Sequence, residues 1–191
     1  MTIPPFAETG LLPLGTYPVT FDQLRESHLV TGLGNGDWDS AWRSRLLENA
    51  EILIGQLWDI GITEVFLDGS FAEAKPHPND IDGYFECEAR EFARGYVATK
   101  LNALDPNKVW TWDPAARRPA PGSMKRQLPM WHRYRVELYP HFPGLMSGLV
   151  DPFGNQLQFP SAFRQQRGTG VRKGIVKIVP TLHRPSQGEN P

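Results

Sequence analysis

Between Glu64 and Glu86, in EVFLDGSFAEAKPHPNDIDGYFE, a Gly69-Ser70 pair closes an apolar run, and Asp80 and Asp82 flank Ile81 a short way downstream. These residue types, in this order, suit the holding of a metal-bound triphosphate. A glycine lets phosphate approach the backbone closely, and Ser70 can hydrogen-bond it while opening a short helical turn whose free N–H groups face the anion. Asp80 and Asp82, two apart on a strand, share one face and can share a divalent cation. Mg²⁺ suits such a pair because it is usually bound by one or two carboxylates plus substrate phosphates. Two-metal phosphoryl or nucleotidyl transfer uses a further carboxylate, and Glu137 is the candidate. In RYRVELYPHF, Tyr134, Val136 and Leu138 alternate with Arg133, Arg135, Glu137, Tyr139 and His141, which predicts a strand with one core face and one polar face. The plainer reading of Glu137 is a solvated residue paired with Arg133 or Arg135.

The elements that must position these groups are legible in outline. Val65, Phe66 and Leu67 read as a buried strand ended by Gly69, and Ile81, Gly83 and Phe85 alternate with Asp80, Asp82 and Tyr84 as a second strand. Trp42, Leu46, Ala50, Leu53 and Leu57 recur at helical spacing, widened by Leu47, Ile54 and Trp58. This predicts an amphipathic helix from Asp39 or Ser40 to Gly61. Thr20 is a cap ahead of FDQLRESHL. The glycines at 32, 34 and 36 do not make a dinucleotide loop, because no strand precedes them and the third is misplaced. A helix is expected over Ala89 to Leu104, weakened by Gly95, then a strand over Lys108 to Trp112 and a long basic loop over Asp113 to Pro129. Arg164, Arg167, Arg172, Lys173 and Lys177 around Gly168-Thr169-Gly170 read as a solvated basic face, with a patch for tRNA, nucleotide phosphates or an acidic partner protein as the other reading, followed by a strand over Gly174 to Val179. His77 and His141 are candidate bases. The division expected is a loop-rich extension over residues 1–38, a domain over 39–180, and a disordered tail over 181–191.

Composition fits one globular unit of 191 residues, with 40% hydrophobic and 21% charged residues. A formal net charge of −1 provides no global field for nucleic acid, so any such contact must come from a local patch. One cysteine, Cys87, excludes an intrachain disulfide and favours a cytoplasmic setting. No apolar run is long enough to cross a bilayer, and the first residues lack the basic start and apolar core of a secretion signal, so no membrane association is expected.

The Gly-Ser turn, the Asp-x-Asp strand and the later strand carboxylate together resemble the nucleotidyltransferase-fold superfamily of polymerase beta-like enzymes and minimal nucleotidyltransferases. Within it, LDGSF…AK…PNDID and the C-terminal FRQQRGTGVRKGIVKI resemble a small bacterial and phage group. The resemblance implies an α+β fold, a mixed β-sheet with helices packed on it. It also implies Gly69, Ser70 and Lys75 at the nucleotide, with Asp80, Asp82 and Glu137 as catalytic residues and ligands of Mg²⁺, two ions in all. The activity implied is transfer of an NMP from an NTP, such as ATP, to a protein or tRNA acceptor, with a cognate toxin or antitoxin as partner in a toxin-antitoxin or phage-defence system. The alternative is a catalytically lapsed module of the same fold that binds a partner. Many minimal members carry an Arg-Gly pair shortly after the serine; here Glu73, Ala74 and Lys75 stand instead, and Lys75 would supply the charge without an arginine's fork.

Overall fold

Thr16 to Val19 run from an exposed to a buried position and form the first strand, β1 (Thr16–Val19), in the computed structural model, which describes residues 2–120, 125–144, 146–150 and 154–181. Thr20 then caps α1 (Phe21–Glu26). Its hydroxyl accepts from the Gln23 N–H at 3.2 Å, and the Gln23 side chain accepts from the Thr20 N–H at 2.9 Å. This reciprocal pairing satisfies donors that a helix start leaves open. After α2 (His28–Thr31), Asp39 caps α3 (Ser40–Asp59) by accepting from the Trp42 N–H at 2.9 Å. Leu46, Leu47, Ala50, Leu53, Ile54 and Leu57 are wholly buried along one side of α3, as their spacing predicts.

β2 (Val65–Asp68) runs into a single 3-10 turn, Gly69–Ala72, and the chain returns as β3 (Ile81–Glu86). The helix expected from Ala89 to Leu104 is two, α4 (Ala89–Ala93) and α5 (Tyr96–Leu104), because Gly95 adopts a left-handed φ of 76° between them. A two-residue ribbon, β4 (Arg118–Pro119) and β5 (Arg126–Gln127), precedes α6 (Pro129–Tyr134) and β6 (Val136–His141). β7 (Met146–Val150) pairs with β8 (Gln156–Gln158), and α7 (Phe159–Phe163) leads towards β9 (Ile175–Ile178).

Five strands form one mixed sheet in the order β1-β9-β2-β3-β6. The outer pairs, β1 with β9 and β3 with β6, are parallel; β9, β2 and β3 run antiparallel to their neighbours in turn. Val65, Leu67, Ile81, Phe85, Val136, Leu138, Val176 and Ile178 turn to one face and share a core with α3. On the other face Phe66, Tyr84 and Ile175 form a second, smaller cluster, with Tyr139 and Phe163 packed on it. The α+β architecture with a mixed sheet is therefore present.

Four expectations change. Residues 108–112 are not a strand, although Val109 and Trp110 are buried. Their backbone is satisfied by side chains instead: Asp105 accepts from the Val109 N–H at 2.8 Å, and Asn102 accepts from the Trp110 N–H at 3.0 Å and donates to its carbonyl at 2.8 Å. Arg133 to Arg135 do not extend β6, since Arg133 and Tyr134 close α6 and Arg135 turns the chain with a left-handed φ of 56°. β3 starts at Ile81, leaving Asp80 at its threshold. The segment up to residue 38 is no separate extension, because β1 lies in the sheet and Leu12, Val19, Phe21, Leu24, Leu29 and Val30 lie in the main core. The tail expected to be disordered lies outside the described residues from 182 onward.

Candidate functional site at the carboxylate row

Strand register builds a row of acids. Asp68 stands opposite Asp82 across β2 and β3, and Asp82 stands opposite Glu137 across β3 and β6. Residues opposite each other in a ladder project from the same face. Asp68, Asp82 and Glu137 therefore cross three adjacent strands on the face away from α3, beside the parallel row Phe66, Tyr84 and Tyr139. Asp80, just ahead of β3, exerts the largest electrostatic influence on Asp82.

The Gly-Ser turn closes directly on this row. Gly69 has a φ of 70°, and a Cβ there would lie 2.5 Å from Asp82 Oδ2, so only glycine lets the turn sit against the carboxylate. Ser70 is half-buried on the same turn. Beneath it lies a group that sequence reading missed. Lys173 is 2% exposed, and its Nζ contacts Asp68 Oδ1 at 3.1 Å, donates to the Gly69 carbonyl at 3.1 Å and pairs with Glu73. It is no part of a solvated basic face. Arg43, from α3, holds the far side of the loop by donating to the carbonyls of Leu29, Phe71 and Lys75. Although burial pulls its pKa down to about 9, the guanidinium stays charged at neutral pH. Lys75 itself is exposed, and its backbone is tied in: its N–H donates to the Glu73 carbonyl at 2.7 Å and its carbonyl accepts from Arg43.

Glu137 is 4% exposed rather than solvated, and it pairs with neither Arg133 nor Arg135. Its Oε1 accepts from the Leu128 N–H at 2.8 Å, its Oε2 accepts from the Tyr139 hydroxyl at 2.6 Å, and Arg117 lies 3.8 Å away. Asp80 Oδ2 accepts from Trp131 Nε1 at 2.7 Å. Burial, then the charges of Asp80 and Glu137, push Asp82 up to about 7, against the pull of Arg167. Asp68 rises to about 6 through burial, opposed by Lys173.

The candidate bases fall elsewhere. His77 bonds Asp39 at 2.8 Å and stacks on Trp42. His141 is buried at the opposite end of β6, about 13 Å along the strand from Glu137 at ordinary strand rise. Neither joins the row.

The crowding of carboxylates is chemically suited to a cation, since a positive charge beside Asp82 would relieve the repulsion that raises its pKa. Among the described residues no group of three or more His, Cys, Asp or Glu side chains is arranged to hold a metal by itself. The donor set already has Asp80 Oδ2 and both Glu137 oxygens engaged in hydrogen bonds. It does not fit an all-protein cage.

Asp68, Lys173 and Arg43 carried weak sequence signals. Asp68 ends an apolar strand, Lys173 sits in a run of basic residues, and Arg43 interrupts an apolar stripe. None of these patterns announces burial. Among the described residues no helix is long and apolar enough to cross a membrane. The model of DUF6932, a family of unknown function, matches residues 4–179. No curated protein and no solved structure gives a significant match.

Proposed function

The chain belongs to the DUF6932 family, and we propose that it is a Mg²⁺-dependent nucleotidyltransferase that moves an NMP from an NTP to an acceptor hydroxyl or phosphate. One observation carries the reading: Asp82 and Glu137 are register partners on adjacent parallel strands, and the Gly69-Ser70 turn closes against Asp82 with room for no side chain.

Asp80, Asp82 and Glu137 would hold Mg²⁺, which when bound neutralises charge on the triphosphate and the departing pyrophosphate. The Gly69 turn brings backbone close to where phosphate must lie, and Lys173 and Arg43 fix that turn from beneath and behind. In the reaction the acceptor oxygen forms a bond to the α-phosphorus as the bond to the α–β bridging oxygen breaks. Pyrophosphate leaves with the electron pair, and the acceptor proton passes to water. The protein's part is mostly alignment and charge placement. Tyr139, its hydroxyl pKa raised by burial and by Glu137, stays protonated and orients the Glu137 carboxylate.

A second reading, a module of this fold that binds a partner without catalysis, draws on the occupied oxygens of Asp80 and Glu137, which already accept from Trp131, Leu128 and Tyr139. The test separates the two. With Mg²⁺, α-labelled NTPs, total tRNA and host lysate, the wild-type protein is expected to label a discrete RNA or protein band. Asp80→Asn and Asp82→Asn should each lose at least about 100-fold in rate while keeping the fold by circular dichroism. Transfer undiminished in both variants would sink the assignment, and absence of both transfer and Mg²⁺-dependent NTP binding would favour the binding module.

A further inference from the structure

The basic residues of this chain are not spread evenly. Residues 114–136 contain six Arg or Lys and no Asp or Glu, whereas the whole chain has 20 bases against 21 acids, leaving 14 bases against 21 acids elsewhere. Although residues 164–184 are equally basic, with Lys173 and Lys177 paired to Asp68, Glu73 and Glu64, residues 114–136 form a second strongly cationic segment in an otherwise acidic chain.

The structure fastens that segment to the carboxylate row. The Leu128 N–H is bonded to Glu137 and the Trp131 indole to Asp80, while Arg117 donates to the Tyr139 hydroxyl at 3.1 Å. Arg135 stacks on Trp131 at 3.9 Å, and His132 bonds the Arg118 carbonyl at 3.1 Å, which joins α6 to the β4-β5 ribbon. Arg118, Lys125, Arg126 and Arg133 are exposed around these anchors. The segment flanks β6, an edge strand, and its Leu128 and Arg117 lie against Glu137.

We propose that the described residues of this segment are the docking surface for a polynucleotide, whose phosphate backbone they hold beside the carboxylate row. Two features favour nucleic acid over an acidic protein. Five of the six bases are arginine, whose fork matches phosphate. The segment also exposes no large apolar side chain among its described residues, and a protein partner would need such an anchor. The polynucleotide's role as acceptor rests on the transfer reading above, but its binding does not.

The experiment is fluorescence anisotropy with a labelled single-stranded RNA of about 20 nucleotides, without NTP or Mg²⁺, across about 50 to 200 mM KCl. Three or four phosphate contacts predict a slope of log affinity on log salt of about −2 to −3. Joint Arg118→Glu, Lys125→Glu and Arg133→Glu should weaken binding at least about tenfold and flatten that slope by about 2. Joint Arg90→Glu, Arg94→Glu and Lys100→Glu makes the same change of charge on exposed positions of α4, its C-terminal cap and α5, and should shift affinity less than about twofold at the higher salt, where long-range fields are screened. Should the first set lower the melting temperature, the Gln versions of the same three positions take its place. The proposal is overturned by no binding, by equal loss in both sets, or by polyglutamate displacing the RNA as readily as unlabelled RNA does. If RNA binds as expected but no NMP is ever transferred, the surface stands and the transfer reading fails.

Discussion

An ammonium group as deeply shut away as that of Lys173 is tolerable only where opposite charge surrounds it, and Asp68, Glu73 and the Gly69 carbonyl do this. Removing the positive charge leaves two carboxylates facing each other in a poorly solvated space. Lys173→Met is therefore expected to destabilise the protein by about 3 kcal/mol, in the range seen when a buried pair loses one partner. Lys75→Met, on the exposed loop a few residues from the same turn, should stay within about 0.5 kcal/mol. Urea unfolding of the two variants checks this, and similar values for both would contradict the burial of Lys173. The contrast also corrects which lysine serves the turn. From the sequence Lys75 was the natural choice because it is near in the chain, whereas Lys173 arrives from more than 100 residues away.

At the scale of elements, α3 supplies most of the apolar wall behind the sheet. Leu53 is wholly buried there, and Leu53→Ala should cost about 3 kcal/mol by chemical denaturation, with an unchanged helix signal in the native state. A loss under about 1 kcal/mol would mean that the helix packs less closely than described. This helix was legible beforehand because a 3.6-residue stripe between an Asp cap and a Gly stop has few other interpretations. The alternation of β3 was equally readable from Ile81 onward, although Asp80 stands just outside the strand. The start of β6 was not, because Arg133, Tyr134 and Arg135 alternate in a way that suits a strand and also the last turn of α6. No rule of sequence places an arginine at a positive φ. Val109 and Trp110 misled for a related reason: their composition is that of a strand, but Asn102 and Asp105 supply the hydrogen bonds a neighbouring strand would have given. For the site, sequence alternation offered Glu137 as a companion to the aspartates, yet only register across β3 and β6 puts it beside Asp82.

For the whole molecule, the strand order ties distant parts of the chain together. β9 lies between β1 and β2, so the sheet is continuous only when residues 175–178 are in place. A chain stopped after Val171 lacks both this strand and Lys173. It is expected to lose cooperative thermal unfolding and to bind a hydrophobic dye, and a sharp transition retained by the truncated chain would refute the dependence. The same arrangement bears on how the protein is made. A ribosome delivers β1 and β2 long before it delivers the strand that separates them, so the nascent chain carries two open sheet edges until β9 emerges. Translation pauses between β2 and β9 would prolong that exposure, and the chain's claim on cellular chaperones should be set less by its finished stability than by how quickly β9 emerges.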